Sequence, residues 1–361
     1  MSGGVDSSVA LAILKERGFD CVGVSMQLWD YSGKEDSSGA TAGSCCSLDD
    51  VNDARGVADS LGVPFYVVNA EEAFGRDVVD YFIRSYSLGE TPNPCIKCND
   101  SLKFGALLKK ALSLGADYLA TGHYARIDGD GPGRRLLKGV DPGKDQSYFL
   151  FTMTPFQLSR VIFPVGALTK AEVREYARKM NLRTSEKKES QEICFVEDGD
   201  YAEFLSTRLP GKTGEIVDAA GNVIGAHSGI FKYTVGQRKG LNLPGGPFYV
   251  SAIDAGNNRI VAGPRESLYS AGLLARDVNW INPEAGQAAA AGVLEAISKI
   301  RYRHPGSVST VTQPGPGRAR VIFKAPEKAV TPGQAVVFYR GEEALGGGWI
   351  ERAIRDEEGP Y

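Results

Sequence analysis

The first eight residues, MSGGVDSS, run without a break into the apolar-periodic stretch Val9-Ala-Leu-Ala-Ile-Leu-Lys-Glu-Arg-Gly18. Two glycines let the backbone turn tightly and approach an anion, and the first N–H groups of the following helix carry partial positive charge, so the stretch can cradle a phosphate. Ser2, Ser7 and Ser8 add hydroxyl donors; the plain alternative is a Gly/Ser turn that only caps the helix. The sequence holds no G-x-x-x-x-G-K-[ST] run, so no lysine marks a γ-phosphate and the loop is not a Walker A site. A loop of this kind joins a strand to a helix in a parallel α/β sheet. Because Met1 opens the sequence, the first strand is expected to be missing, with weaker folding and weaker ligand binding as the consequence.

The stretch that follows keeps the alternation such a sheet needs. Residues 21–29 read as a strand, 31–44 as a long Gly/Ser/Asp-rich loop, 47–61 as a helix, 64–68 as a strand, 70–87 and 102–114 as helices, and 117–123 as a strand and turn. Ligands of parallel sheets sit at the carboxyl ends of the strands, which makes Met26 and Gly122-His123 candidates for the nucleoside side of a pocket. At 361 residues the chain has room for two or three domains, and 42% hydrophobic with 24% charged residues suits a soluble globular protein. No apolar run approaches membrane-spanning length and no signal peptide precedes the loop, so a cytoplasmic protein without a membrane is expected. A net charge of -3 leaves any nucleic-acid contact to local basic patches.

Beyond Leu209-Pro-Gly211 the composition shifts to glycine and short strands, which marks a boundary at 205–212. Residues 214–218 and 221–225 read as a hairpin. Phe231 to Gly240 mixes aromatics with Lys232, Arg238 and Lys239, a pattern that fits either a solvated basic turn or RNA contact. Residues 294–303, 308–311, 318–323 and 335–339 alternate as strands of a small antiparallel barrel, with Arg301 and Arg303 on one strand face; 285–292 reads as a low-complexity surface turn.

Six cysteines in a chain of this length do not make a disulfide scaffold. Two of them lie in Thr91-Pro-Asn-Pro-Cys-Ile-Lys-Cys-Asn-Asp100, where the prolines are expected to hold Cys95 and Cys98 on an irregular loop ahead of a basic helix carrying Lys103, Lys109 and Lys110. The C-x-x-C spacing leaves open half a zinc site, a redox pair or two ordinary thiols; His123, His227 and His304 show no matching metal-ligand spacing. Lys97 and the helix start should favour a thiolate. A third, Cys194, follows a helix over 169–180 in Glu189-Ser-Gln-Glu-Ile-Cys-Phe195, and taken alone reads as a buried, inert thiol. Cys21 should pack within its strand, and Cys45-Cys46 carries no assigned role.

MSGGVDSS resembles SGGxDS, the pyrophosphate loop of ATP-pyrophosphatases, which split ATP between the α- and β-phosphates and adenylate a substrate. With TPNPCIKCN, TGHYAR, GKDQSYFL, FPVGALTKAEVR, SQEICF, TVGQRKGL, KIRYRH and TPGQAVVFY in this order, the chain resembles the tRNA-specific 2-thiouridylases from Met1 to near Ile354. The resemblance implies an α/β fold: a parallel-sheet, adenine nucleotide alpha-hydrolase-like ATP-binding and catalytic domain over 1–207 with its first strand missing. A small, mostly β central domain over 208–268 and a C-terminal antiparallel β-barrel over 269–361 that binds tRNA would follow. It implies ATP contacts at Met1, Ser2, Gly3, Gly4, Val5, Asp6, Ser7, Met26 and Gly122, a nucleophile at Cys98 and a persulfide carrier at Cys194. Asn93, Pro94 and Cys95 match the segment that touches the target base, and His123, Lys144, Asp145, Gln146, Arg301, Tyr302 and Gln334 match tRNA contacts. Cys95 stands where some relatives carry aspartate.

The implied reaction is 2-thiolation of the wobble uridine at tRNA position 34, with ATP and Mg2+ as cofactors. A C2 carbonyl oxygen leaves poorly, so adenylation turns it into AMP, and a Cys194 persulfide supplies the sulfur, either attacking directly or releasing sulfide through Cys98. The implied partners are the tRNAs for lysine, glutamate and glutamine and a cysteine desulfurase or sulfur-relay protein. An alternative is a [4Fe-4S] cluster held by Cys95, Cys98 and Cys194 with an open iron that carries sulfide. Two rivals stand beside these: a ligase that adenylates a carboxylate or carbonyl for attack by nitrogen, which would not need Cys98 with Cys194, and a non-catalytic RNA-binding protein.

Overall fold

The computed structural model describes residues 1–29, 48–188, 193–196 and 199–355. The loop expected at 31–44, Cys45-Cys46 and residues 189–192 lie outside the described residues. The chain divides into two compact units, Met1–Val78 with Cys95–Asp200, and Val79–Pro94 with Tyr201–Tyr361.

In chain order, α1 (Val5–Glu16), β1 (Gly23–Gln27), α2 (Leu48–Ser60) and β2 (Phe65–Asn69) come first, and β1 pairs in parallel with β2, Gly23 opposite Phe65. A helical stretch follows, α3 (Glu71–Phe74), a π-helical segment Gly75–Val79 and α4 (Asp80–Ser87). The next combines α5 (Pro94–Lys97), a π-helical segment Cys98–Leu107 and α6 (Leu108–Ser113). After β3 (Leu119–Ala120) come the antiparallel hairpin β4 (Ala125–Asp128) and β5 (Arg135–Lys138), α7 (Pro155–Ser159), β6 (Val161–Ile162) and α8 (Lys170–Lys179); β3 runs parallel to β6. The parallel strands thus form two two-stranded pieces. What unites the flanking helices is apolar spacing: Val5, Val9, Ala12 and Ile13 of α1 meet Val173 and Ala177 of α8, together with Val57 of α2 and Tyr124.

One expectation is corrected here. The Thr91–Asp100 motif is helical from Pro94 onward, so Cys95 and Cys98 ride on a helix instead of a loop. Proline is compatible with the first helical position, where its missing N–H has no intrahelical partner to lose.

In the second unit α9 (Tyr201–Ser206) leads to β7 (Gly214–Val217), β8 (Val223–His227), β9 (Tyr249–Asp254) and β10 (Arg259–Gly263), in the sheet order β8-β7-β10-β9. The β7–β10 pair is parallel and the other two are antiparallel, around a core of Ile216, Ile230, Tyr233, Val250 and Ile260. Then come β11 (Tyr269–Trp280), α10 (Pro283–Ala290), β12 (Leu294–Lys299), β13 (Ser307–Thr312), β14 (Ala319–Lys328), β15 (Ala335–Arg340) and β16 (Glu343–Ile354). All six strands pair antiparallel, and β11 bonds to both β14 and β16, which closes a barrel with no open edge. Leu273, Val321, Phe338 and Ile350 are among the side chains that fill it.

Two further expectations change in this region. The alanine-rich 285–292 stretch is mostly helix, not a surface turn: Asn282 Oδ1 accepts from Ala285 N (3.0 Å), Pro283 takes the first position, and Ala285 and Ala289, one turn apart, are buried in the barrel core. β12 ends at Lys299, so Arg301 and Arg303 lie on a turn closed by His304 N donating to Arg301 O (3.0 Å), not along one strand face. Among the described residues no helix is long and apolar enough to cross a membrane.

Candidate active site

Two glycines at the MSGGVDSS loop, Gly3 within it and Gly122 packed on it, stand where a side chain has no room. Gly3 has φ +71, and a Cβ there would lie 2.2 Å from the Asp50 carbonyl oxygen. Gly122 packs backbone to backbone on the loop, since its Cβ would lie 2.7 Å from Asp6 C and Ser7 N. Gly4, the N-cap of α1, has no side chain to cap with, so the first-turn N–H groups of the helix remain for an anion. Ser7 and Ser8 hydroxyls donate to Gly4 O (3.1 and 2.9 Å), while Ser2 N donates to Ser7 Oγ (3.2 Å). Val5 is buried, and Met1 packs beside β1, its amino group donating to Val24 O and its sulfur 2.9 Å from where a Gly23 Cβ would stand. Met26 is half-buried in β1, one residue before Gln27, whose Nε2 donates to Glu71 Oε1 (2.7 Å) at the carboxyl ends of β1 and β2.

Asp6 is the loop's one carboxylate, and it is engaged from far along the chain. Lys170 Nζ donates to both of its oxygens (2.7 and 2.9 Å), and the Tyr124 hydroxyl donates to Oδ1 (2.7 Å).

The thiols differ in setting. Cys95 is exposed and Cys98, three residues on, is only 9% exposed; Cys194 is half-buried. Phe195 anchors Cys194 by packing edge-on against Phe74 (5.6 Å between centroids) and near Trp29 (6.3 Å). Phe74 belongs to α3, which also packs against the helical segment beginning at Cys98. Both thiol-bearing segments therefore bear on one short helix. The stem before Cys194 is tied to α2: Lys187 pairs with Asp50 (2.7 Å) and Asp53 (2.5 Å), and Arg183 with Asp53 (2.9 Å). Beside Cys98, Asn99 Nδ2 donates to Phe149 O (3.3 Å) while its buried Oδ1 lacks a partner, and burial pushes the Asp100 carboxyl up against the pull of Lys97. Among the described residues no three His, Cys, Asp or Glu side chains gather into a metal-binding group, so Cys95, Cys98 and Cys194 do not form one.

The remaining expected contacts fall into braces and surface groups. His123 is buried between Phe104 and Phe163 (5.8 Å each), with Nδ1 2.7 Å from Thr121 Oγ1; burial, with Lys103 nearby, holds its pKa well below the ordinary value. Asp145 Oδ1 accepts from Gly139 N (3.1 Å) and Ser147 N (3.0 Å), and Gln146 Oε1 accepts from Tyr124 N (3.0 Å), whereas Lys144 is half-buried. In the second unit Gln334 Nε2 donates to Thr91 O (2.9 Å), Thr91 N donates to Pro332 O (2.8 Å), and Arg276 grips both oxygens of Glu90 (2.7 and 2.9 Å). These bonds suspend the segment carrying Asn93 and Pro94 from the barrel strands. Arg301 is exposed, its Nη1 donating to Lys328 O (3.3 Å), and Tyr302 is half-buried on the same turn.

Residues 1–198 match the model of the tRNA methyl transferase HUP domain, 202–264 that of the tRNA methyl transferase PRC-barrel domain, and 270–350 that of the aminomethyltransferase beta-barrel domain. The tRNA-specific 2-thiouridylase MnmA of Geobacter metallireducens is 56% identical over 99% of this chain and 96% of its own length. The chain belongs to the tRNA-specific 2-thiouridylase family. Proteins of the same name from Geotalea uraniireducens (54% identical, 98% of this chain, 94% of theirs) and Magnetococcus marinus (49%, 97% and 97%) extend the likeness.

In this thiouridylase-family chain, reading the sequence missed three residues that shape the site: Lys170, Tyr124 and Phe74. Only Lys170 left a local signal. Thr169-Lys-Ala-Glu172 is a capping box, with Glu172 N donating to Thr169 Oγ1 (3.3 Å) and Thr169 N donating to Glu172 Oε2 (2.7 Å), and it sets Lys170 at the first position of α8. That the lysine then meets a loop 164 residues earlier is a matter of how α1 and α8 pack.

Proposed function

We propose that this chain replaces the C2 oxygen of the wobble uridine, position 34 of tRNA, with sulfur at the expense of ATP. The observation that carries the reading is that a single unit holds an anion loop clasped by Gly122 and two thiol segments, those of Cys98 and Cys194, seated on the same helix. The domain models bear methyltransferase labels, but a pyrophosphate loop with two thiols is what sulfur transfer requires, and relatives spanning the whole chain carry the 2-thiouridylase name.

The HUP-domain match and the loop together support ATP as the activating nucleotide. Uridine O2 attacks the α-phosphorus; the new O–P bond forms as the bond to the bridging oxygen breaks, and its electron pair departs on pyrophosphate. First-turn N–H groups of α1 stabilise the charge that builds there. Magnesium fits this loop as a nucleotide-borne ion, since Asp6 supplies one carboxylate and such an ion takes the rest of its shell from phosphates and water.

The terminal sulfur of a Cys194 persulfide then attacks C2, and AMP leaves with the C–O electron pair. The Cys98 thiolate attacks Cys194 Sγ, breaking the S–S bond so that the sulfur stays on C2 and a Cys98–Cys194 disulfide forms, which a cellular dithiol reduces. A cysteine desulfurase or relay protein reloads Cys194, and the tRNAs for lysine, glutamate and glutamine are the substrates. Cys95, exposed and apart from any metal-binding group, does not fit as a cluster ligand, and no step is routed through one. Cys194→Ala tests the scheme: nucleoside mass spectrometry on transcribed tRNA should find no 2-thiouridine while tRNA-dependent ATP–pyrophosphate exchange persists. Thiolation by that variant would overturn it.

A further inference from the structure

The loop has no lysine of its own, yet a lysine is held over it. Lys170 Nζ bonds both oxygens of Asp6 at 2.7 and 2.9 Å, its side chain is only 12% exposed, and it lies 5.7 Å from the Tyr124 ring centroid. Its position is unfavourable on local grounds, because a cation in the first turn of α8 faces the positive end of that helix. Asp6 in turn occupies the first turn of α1. The N-terminus of α1 and one ammonium thus converge on Asp6, while Asp141 and Glu172 answer the N-terminus of α8. A lysine held over an anion loop is placed to meet the phosphates of a nucleotide that enters it.

We propose that Lys170 is the cation that receives the departing pyrophosphate, exchanging Asp6 for β-phosphate oxygens when a nucleotide fills the loop. The exchange places positive charge where the bridging oxygen takes the electron pair of the broken P–O bond, and it frees Asp6 at the same moment. The backbone makes the hand-over local: Asp141 Oδ2 accepts from Lys170 N (3.0 Å), so the first turn of α8 stays pinned while the long side chain swings. Asp141 Oδ1 also accepts from Gly143 N (2.9 Å), which ties that anchor to the turn leading into Lys144–Gln146.

The proposal rests on the loop being an ATP site, and its test separates the two. Calorimetric titration of the full chain with inorganic pyrophosphate, with α,β-methylene ATP and with AMP would be compared for the parent protein, Lys170→Met and Lys170→Arg. Loss of one charge-assisted contact predicts that Lys170→Met binds pyrophosphate and the ATP analogue about ten- to a hundredfold more weakly, with AMP nearly unchanged. Lys170→Arg, which keeps the charge, should restore most of the pyrophosphate affinity, and thermal melts show whether both variants are folded. Unchanged pyrophosphate binding by folded Lys170→Met would overturn the proposal. So would an equal loss for AMP, which would make the lysine a mere support for Asp6. A parent protein that binds neither AMP nor the analogue would instead remove the ATP reading, and this proposal with it.

Discussion

Gly122 shows how little space separates structure from chemistry at single positions. A methyl group there would stand 2.7 Å from backbone atoms of Asp6 and Ser7, and backbone cannot rotate away as a side chain can. Gly122→Ala should therefore displace the first turn of α1 and weaken binding of the ATP analogue by tenfold or more, on the order of 1.4 kcal/mol, while tRNA retention on a filter is preserved. Cys95 makes the opposite case. It is exposed and belongs to no metal-binding group, so Cys95→Asp should retain 2-thiouridine formation in mass spectrometry; abolished thiolation would revive a three-thiol cluster. Motif residues were legible one by one because glycine, cysteine and lysine each carry distinctive chemistry. Their bonds within the fold were not: Asp145, Gln146 and Gln334, which the resemblance matches to tRNA contacts, also brace Gly139, Ser147, Tyr124 and Thr91.

At the scale of elements, α3 deserves its four residues. Phe74, fully buried, receives Phe195 on one side, and its helix supports the segment beginning at Cys98 on the other. Truncating Phe195 to alanine would remove a buried ring, a change that costs about 3–5 kcal/mol in a rigid core and less where the segment can collapse. The expected outcome is a drop in thiolation with little change in ATP-analogue affinity, read by nucleoside analysis and calorimetry in parallel. The helices and strands themselves were readable where period and punctuation agreed, as in α1, α2, α8 and the β7–β8 hairpin. They were misread where one residue type has two uses. Proline breaks helix interiors but starts one at Pro94, and the alanine run at 285–292, turn-like in its letters, has small side chains that let α10 lie against the barrel.

For the whole molecule, pH should act through the three histidines. Burial lowers the pKa of His123, His227 and His304 below the ordinary value of 6.5, although Glu327 pulls His304 the other way. Below that value the unfolded chain binds protons that the folded chain refuses, so stability rises with pH, is fully present above about 6.5 and is lost as the pH falls through it. Urea midpoints measured on either side of pH 6.5 should show the decline, and His304→Gln should make it shallower. The sequence by itself determined the class of fold and the order of the three domains, because these follow from local periodicity and from the punctuation between elements, and its family resemblance marked the anion loop and the thiols as the places to test. Only the tertiary structure decided that Lys170 meets Asp6, that both thiol segments rest on α3 and that His123 is sealed between two phenylalanines. Those contacts join residues tens to more than a hundred positions apart, and their geometry is set by how helices and sheets pack rather than by any pattern along the chain. MSGGVDSS could be recognised from its letters; the lysine that bonds its carboxylate is carried by a second helix packed beside the first.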